Sequence, residues 1–393
     1  MLKIPAARDS SQIGGGDGGD GSESEFLVVV TGGSKGIGRS CVESFARRGA
    51  RVLFTYCSDT ESAARIEQSF QPTGIVQGRH LDQGVFDSVH AFAAEVDRWR
   101  AGRPLDALVN NAALGVATVS AYKGLPPRAK DGPDAEGGEP SGFEEARRRA
   151  EEDIALMRVN ALGPMWVTEA LLPMMQPQFT VAKPVDKDGS AVSSPGTEKA
   201  APAAAAETGA ASKAAPSLAA ASSSGPRKRT VLFVGSVGGG SQSVFPGFRA
   251  ADAMSKAALA YACKHFAAQS RRPSVAAARV DLRSGTPTTG AAASAGAAQT
   301  EASSGGVNFL CLCPGATLTD MFRASTLDKM TSPEELERFV SALPQGRLML
   351  PEEVGEAVQW LCSSPAATMF HGAVIDASAG LAVRPGALTE YAF

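Results

Sequence analysis

One run, Phe26-Leu-Val-Val-Val-Thr-Gly-Gly-Ser-Lys-Gly-Ile-Gly38, constrains this chain more than any other. Leu27 to Val30 is continuous, apolar and mostly β-branched, the pattern of a strand buried on both faces in a parallel sheet. It stops at Thr31, and Gly32, Gly36 and Gly38 then open a helix expected over 37–48. The spacing suits a dinucleotide seat. Gly32 permits a tight turn, Gly36 lets the backbone approach a pyrophosphate, and Gly38 lets helix and strand pack closely. Ser34, Lys35 and Ile37 complete the turn, and the helix tip supplies free N–H groups and positive potential to phosphates. A lone glycine pattern is weak evidence; here the flanking strand and helix give it the context the mechanism needs.

Strand and helix patterns alternate through the rest of the chain. Strands are expected at 49–56, 74–80, 105–111, 230–235, 307–312 and 373–376, with helices at 60–70, 84–100, 144–175 and 250–270. The long 144–175 helix is broken at Gly163-Pro164. Ser332-Pro-Glu-Glu335 reads as a capping box, and a last helix starts at Pro351. Seven strands alternating with helices describe a doubly wound, mostly parallel α/β sheet with right-handed crossovers.

At 393 residues the length alone would allow more than one domain. However, residues 1–24, 118–142, 176–228 and 281–305 are rich in Gly, Ala, Ser, Pro or charge and lack periodicity. They read as a disordered tail and three disordered inserts in a single domain spanning 25–393. A net charge of −3 predicts no general affinity for nucleic acid or anionic membrane. The basic Arg227-Lys-Arg229 reads as a solvated linker end. Six cysteines show neither metal-ligand nor disulfide spacing, and Cys311 and Cys313 share one strand face and pack in the core, so a reducing compartment follows. With no apolar run of membrane-spanning length and acidic residues at 17, 20, 23 and 25, a soluble cytoplasmic protein is expected.

Cofactor choice is read after the second strand, where an acidic residue would bond the ribose 2′-hydroxyl and repel a 2′-phosphate. Tyr56-Cys57-Ser58 stands there instead. Lys35 could pair with a 2′-phosphate and Ser58 could hydrogen-bond it, although Lys35 would also be unremarkable as a solvated lysine.

The Thr-Gly-x-x-x-Gly-x-Gly turn resembles that of the short-chain dehydrogenase/reductase family, and further motifs recur in the family's order. By that resemblance Asp82 would contact adenine, and Asn111, in Asn110-Asn-Ala-Ala113, would border the cofactor. Asn160 would anchor a proton-relay water. Pro314 and Gly315 would open the loop on which Thr319 holds the nicotinamide carboxamide. Ser236 would orient the substrate carbonyl, and Lys256 would bind the nicotinamide ribose. The resemblance also implies a homodimer or tetramer through helices 144–175 and 250–270, and a basic residue in this turn commonly accompanies NADP use. NADP(H) is therefore favoured, with NAD(H) as the alternative cofactor.

The match departs from the family at Ala113, where the motif has glycine, and in a spacing from Ser236 to position 252 a few residues longer than usual, but most seriously at position 252. Four residues before Lys256 the family carries a catalytic tyrosine, and this chain carries Asp252. A carboxyl starts near 4, and Lys256 one turn away should lower it further, so Asp252 is expected ionised and a poor proton donor. It is also shorter than tyrosine, and a bridging water would have to span the gap. Tyr261 should face Lys264 or His265 and pack between helices.

Two functional readings follow. One is hydride transfer between nicotinamide and a carbonyl or alcohol substrate, partly hydrophobic to match the apolar content of residues 322–343 and 381–393. The other is a dinucleotide-binding protein without turnover, acting as a cofactor sensor or partner-binding module. A third reading, in which the inserts are the functional part, rests on composition alone. Deleting residues 176–228 is expected to leave nucleotide binding intact by fluorescence titration; its loss would show that this insert belongs to the site.

Overall fold

In the computed structural model the described residues are 26–122, 125, 142–175, 228–240, 248–270 and 306–383. They form one seven-stranded sheet in the order β3-β2-β1-β4-β5-β6-β7, with every neighbouring pair parallel. The strands are β1 Leu27–Val30, β2 Arg51–Tyr56, β3 Val76–His80, β4 Ala107–Asn110, β5 Arg229–Val234, β6 Val307–Pro314 and β7 Val374–Ala377. β1, β4 and β6 are buried along their whole length, as their mostly apolar runs imply. Chain order reverses between β1 and β4, and a crevice opens there beyond the strands' carboxyl ends.

Nine helices are described: α1 Gly36–Ala46, α2 Thr60–Ser69, α3 Phe86–Arg100, α4 Gly142–Met157, α5 Gly163–Met175, α6 Ala250–Gln269, α7 Asp320–Ser325, α8 Pro333–Ala342 and α9 Pro351–Ser363. One core joins Val28, Val30 and Val52 to Phe45 of α1, Ile66 of α2 and Val358 of α9. The opposite core joins Leu27, Val29 and Phe233 to Phe92 of α3, Leu171 of α5 and Phe266 of α6. The sheet is thus wound on both faces. Cys311 and Cys313 lie fully buried with their sulfurs 4.0 Å apart, as their shared strand face implies.

Several boundaries differ from the sequence expectations, each for a local reason. β3 starts at Val76 because Gly74, at φ +63°, turns the chain before it. The long helix does not break at Gly163-Pro164. It passes through a π turn at Arg158–Leu162, in which the Gly163 N–H bonds the Arg158 carbonyl. The first insert begins later than residue 118, because Val119 and Tyr122 are buried in a small core with Leu156 and Ala251. Arg229 is the first residue of β5, half-buried beside Asp106, and not a solvated linker end. At α8 the Ser332 hydroxyl accepts from Glu335 N (3.2 Å), but the Glu335 carboxylate accepts from Thr331 N (2.9 Å), one residue before the cap. The tail 1–24 and nearly all of the three inserts lie outside the described residues.

α1 is held against α9 by close backbone approach. A Cβ on Gly355 would stand 2.7 Å from the Ser40 carbonyl carbon, and Arg48 donates to the Gln359 side chain nearby. Gly355→Ala is therefore expected to destabilise the fold by roughly 1–3 kcal/mol through overpacking, read as a lowered midpoint in urea unfolding.

Candidate functional site

The turn after β1 has the geometry its glycines imply. Gly32 sits at φ +65°, and a Cβ there would lie 2.7 Å from the Ala112 Cα. At Gly38 a Cβ would fall far inside contact distance of the Gly32 carbonyl oxygen and the Asn111 side chain. No side chain caps the start of α1, so its first-turn amides are free to meet an anion. Asn111 does not reach outward. Its Nδ2 donates to the Thr31 carbonyl (3.0 Å) and the Gly32 carbonyl (3.1 Å), bracing the turn from below. Free amides above a floor that tolerates no Cβ suit a dinucleotide pyrophosphate.

The turn opens onto a cleft of about 1960 Å³ that brings most of the expected site residues together. Gly32, Ser34, Lys35, Gly36, Ile37, Gly38, Tyr56, Ser58, Asp82, Asn111, Ser236, Asp252, Lys256, Pro314, Gly315 and Thr319 all line it. Thr319 caps α7, accepting from Phe322 N (3.2 Å), and its methyl lies 3.1 Å from where a Gly36 Cβ would stand. Asn160 is absent from the lining. It is fully buried in the π turn, where its Oδ1 accepts from Leu114 N (2.7 Å) and its Nδ2 donates to Leu114 O (2.9 Å). Its side chain therefore braces the loop after β4.

The rim is not free of acidic charge, contrary to the reading of Tyr56-Cys57-Ser58. Asp59 caps α2, accepting from Ser62 N (3.0 Å), and pairs with Lys35 at 2.6 Å. The Lys35 ammonium, with help from Ser62 N–H, holds its pKa down at about 2. Asp82 is also occupied. Both its carboxylate oxygens accept from Tyr122 Oη (2.8 and 2.9 Å), and one accepts from Gly84 N (2.9 Å). Burial and the Asp82 carboxylate push the Tyr122 phenol well above its usual pKa. Although it lines the cleft, Tyr122 is therefore no stand-in for the tyrosine absent from position 252. Asp59 carried a legible signal as a helix cap; nothing local marked Tyr122 or the neighbouring Gln83.

At the other end of the cleft the expected charge balance is reversed. Burial raises the Asp252 pKa, and the opposing pulls of Lys256 and Arg249 do not cancel it. Burial likewise lowers Lys256, against the pull of Asp252, Cys311 and Cys313. Desolvation outweighs a charge one helical turn away, so Asp252 keeps a proton to higher pH than an ordinary aspartate. Arg249 fixes the start of α6 by bonding Asp153 (2.6 Å), Glu152 (2.8 Å) and the Arg149 carbonyl (2.7 Å) of α4. Ser236 Oγ accepts from Gly238 N (3.2 Å), which leaves its own hydrogen free to donate. Tyr261 stacks on His265 as expected but is 71% exposed, not packed between helices.

The family model for short chain dehydrogenases matches residues 27–220, and the chain belongs to that family. It is 35% identical over 117 residues to protochlorophyllide reductase A of Oryza sativa subsp. japonica, covering 29% of this chain and 30% of that protein. It is 42% identical over 87 residues to a probable galactose dehydrogenase of Rhizobium meliloti, covering 22% and 33%. The matched stretches thus span about a third of these relatives' lengths. Among solved structures, an actinorhodin polyketide ketoreductase variant with NADPH aligns with a TM-score of 0.56 at 18% identity, over 91% of this chain and 97% of that one. The RhlG/NADP complex of Pseudomonas aeruginosa aligns with a TM-score of 0.53 at 20% identity, over 91% and 96%. At such identities these two likenesses concern the fold.

The ion pair at the rim has a pH signature. With its pKa lowered from 3.8 to about 2, Asp59 contributes stability that is present above about pH 4 and lost as pH falls towards 2. Asp59→Asn keeps the helix cap and is expected to cost under about 1 kcal/mol at neutral pH, because the pair is partly exposed. The difference from wild type should shrink as pH falls below about 4 and be largely gone at pH 2 in urea unfolding.

Proposed function

We propose that the chain is an oxidoreductase that transfers hydride between a nicotinamide nucleotide, NADP(H) in preference to NAD(H), and a small carbonyl or alcohol substrate. The observation that carries this reading is the uncapped tip of α1, opening through glycines onto the same cleft that Ser236, Asp252 and Lys256 line. The first-turn amides of α1 would hold the pyrophosphate, and Lys256 the ribose hydroxyls. Pro314, Gly315 and Thr319 would form the wall beside the nicotinamide, which supplies or accepts the hydride when bound. Lys35 and Ser58 would meet a 2′-phosphate. Asp59 competes for Lys35, so the preference for NADP(H) over NAD(H) is modest.

The remaining chemistry falls to the chain's own side chains. The free hydrogen of Ser236 would orient the substrate oxygen. Asp252, whose pKa burial raises, would pass a proton to that oxygen through one bridging water, since its side chain is short. Lys256 and Arg249 would then stabilise the carboxylate that forms. Leu114, Val237, Phe248, Met321 and Phe322 give the cleft an apolar wall, which fits a partly hydrophobic substrate. Phe339, Leu343 and Leu381 pack behind that wall in a small core that Val237 and Phe322 also join. The exposure of Ile154, Met254 and Tyr261 on α4 and α6 supports a homodimer or tetramer. None of the six cysteines is in a disulfide, which supports a reducing setting. Among the described residues no helix is long and apolar enough to cross a membrane.

NADPH consumption over a panel of carbonyl substrates tests this reading, with binding of NADPH and NADH measured in parallel. Wild type is expected to bind NADPH more tightly and to turn over at least one substrate. Asp252→Asn should lower kcat by about 10²–10⁴-fold and leave NADPH binding intact. NADPH binding without turnover, unaffected by Asp252→Asn or Lys256→Ala, would mark a nucleotide-binding module in place of an enzyme.

A further inference from the structure

Gln83, directly after Asp82, is 97% buried yet borders the cleft, and nothing in the chemistry above uses it. Its Nε2 donates to two backbone carbonyls from different parts of the chain, Ala112 O at 2.9 Å and Val159 O at 2.8 Å. Its Oε1 is buried without a partner among the described residues. Flipped, the amide would aim an oxygen at two carbonyl oxygens, so the two acceptors dictate its orientation. A buried unpaired oxygen is a standing cost, tolerated here where both hydrogens are spent on bridging two segments.

Each carbonyl has a reason to need the amide. In the π turn the hydrogen bonds run from each N–H to the carbonyl five residues back, and Gly163 N–H accordingly reaches Arg158 O. The next donor in that ladder, for Val159 O, would be residue 164, which is proline and has no N–H. Val159 O is thereby released, one residue before Asn160, and Gln83 satisfies it. Ala112 is the residue on which Gly32 rests, within the 2.7 Å approach that excludes a Cβ. Asn160 clamps the same loop two residues on, at Leu114. The loop after β4 is therefore fastened to the π turn at two points, and one of them lies directly beneath the glycine turn.

We propose that Gln83 is a positioning residue that ties the floor of the nucleotide turn to the π turn carrying Asn160, so that nucleotide bound at the first orders the second. The proposal rests on the nucleotide-binding reading. It is tested by hydrogen exchange on the full chain with and without NADPH, comparing wild type with Gln83→Met, which keeps the size and removes the donors. In wild type, NADPH is expected to slow exchange both at residues 27–46 and at residues 156–164. In Gln83→Met, the slowing should persist at 27–46 and disappear at 156–164. The NADPH dissociation constant should change by less than about threefold while kcat falls about tenfold, the size of a typical coupling between sites.

A purely structural role would speed exchange at 156–164 equally with and without NADPH, and that result would overturn the proposal. So would NADPH-dependent slowing at 156–164 that survives the substitution. Wild type that binds no NADPH would instead overturn the nucleotide-binding reading. If Gln83→Met does not fold, Pro164→Ala combined with Gln83→Met restores an N–H for Val159 O. That pair is expected to fold and still lack the NADPH-dependent slowing at 156–164, and retained slowing would again contradict the proposal.

Discussion

The hydrogen bonds exchanged between Thr31 and Asn111 across the β1–β4 pair are what the rest of the site depends on. Thr31 Oγ1 accepts from Asn111 N and Ala112 N, both at 3.0 Å, while the Asn111 amide takes the carbonyls of Thr31 and Gly32. These bonds turn the carbonyls of the glycine turn inward and downward. The amides at the start of α1 are left facing the cleft. Each buried group in this brace would cost about 1–3 kcal/mol if left unpaired, so the turn has little freedom to rearrange. It can stay open only because Gly32 and Gly38 carry no Cβ where the loop after β4 and the Gly32 carbonyl press against them.

From that fixed turn, the two ends of the cleft obey different electrostatic rules. At the solvent-facing rim, Lys35 and Asp59 meet as an ordinary ion pair, and the attraction between charges decides the outcome: the carboxyl is held down. At the inner end, Asp252 and Lys256 are close enough to attract one another, yet burial pushes both towards their neutral forms. A carboxyl where the family has a phenol is poor as an ionised group but serviceable as a retained acid. Its surroundings in this fold move it in the second direction.

Much of this architecture could be read from the residues. The buried β-branched run, the alternation of strands and helices and the glycine spacing specify the doubly wound sheet and its seat because they are local and periodic. The lining residues Ser236, Lys256 and Thr319 also fall where their motifs put them. What stayed hidden depends on distance in space. The direction of the Asp252 shift follows from how much protein surrounds it, which no spacing along a helix reveals. Asp59 is visible in sequence as a helix cap, but its pairing with Lys35 needs the turn after β1 to face the start of α2. Gln83 and Tyr122 carry no motif at all; they matter because β3, the loop after β4 and the π turn converge. The proline at 164 signals a disturbed helix, and only the fold shows that the ladder widens before it.

The central claim is that phosphates rest on the backbone amides at the tip of α1, above the Thr31–Asn111 brace. A crystal structure of the full chain grown with NADP⁺ tests it most directly. The account predicts pyrophosphate density against Gly36, Ile37 and Gly38, with the Asn111 amide still bonded to Gly32. Nucleotide density elsewhere in the protein, with that turn closed by its own side chains, would contradict it.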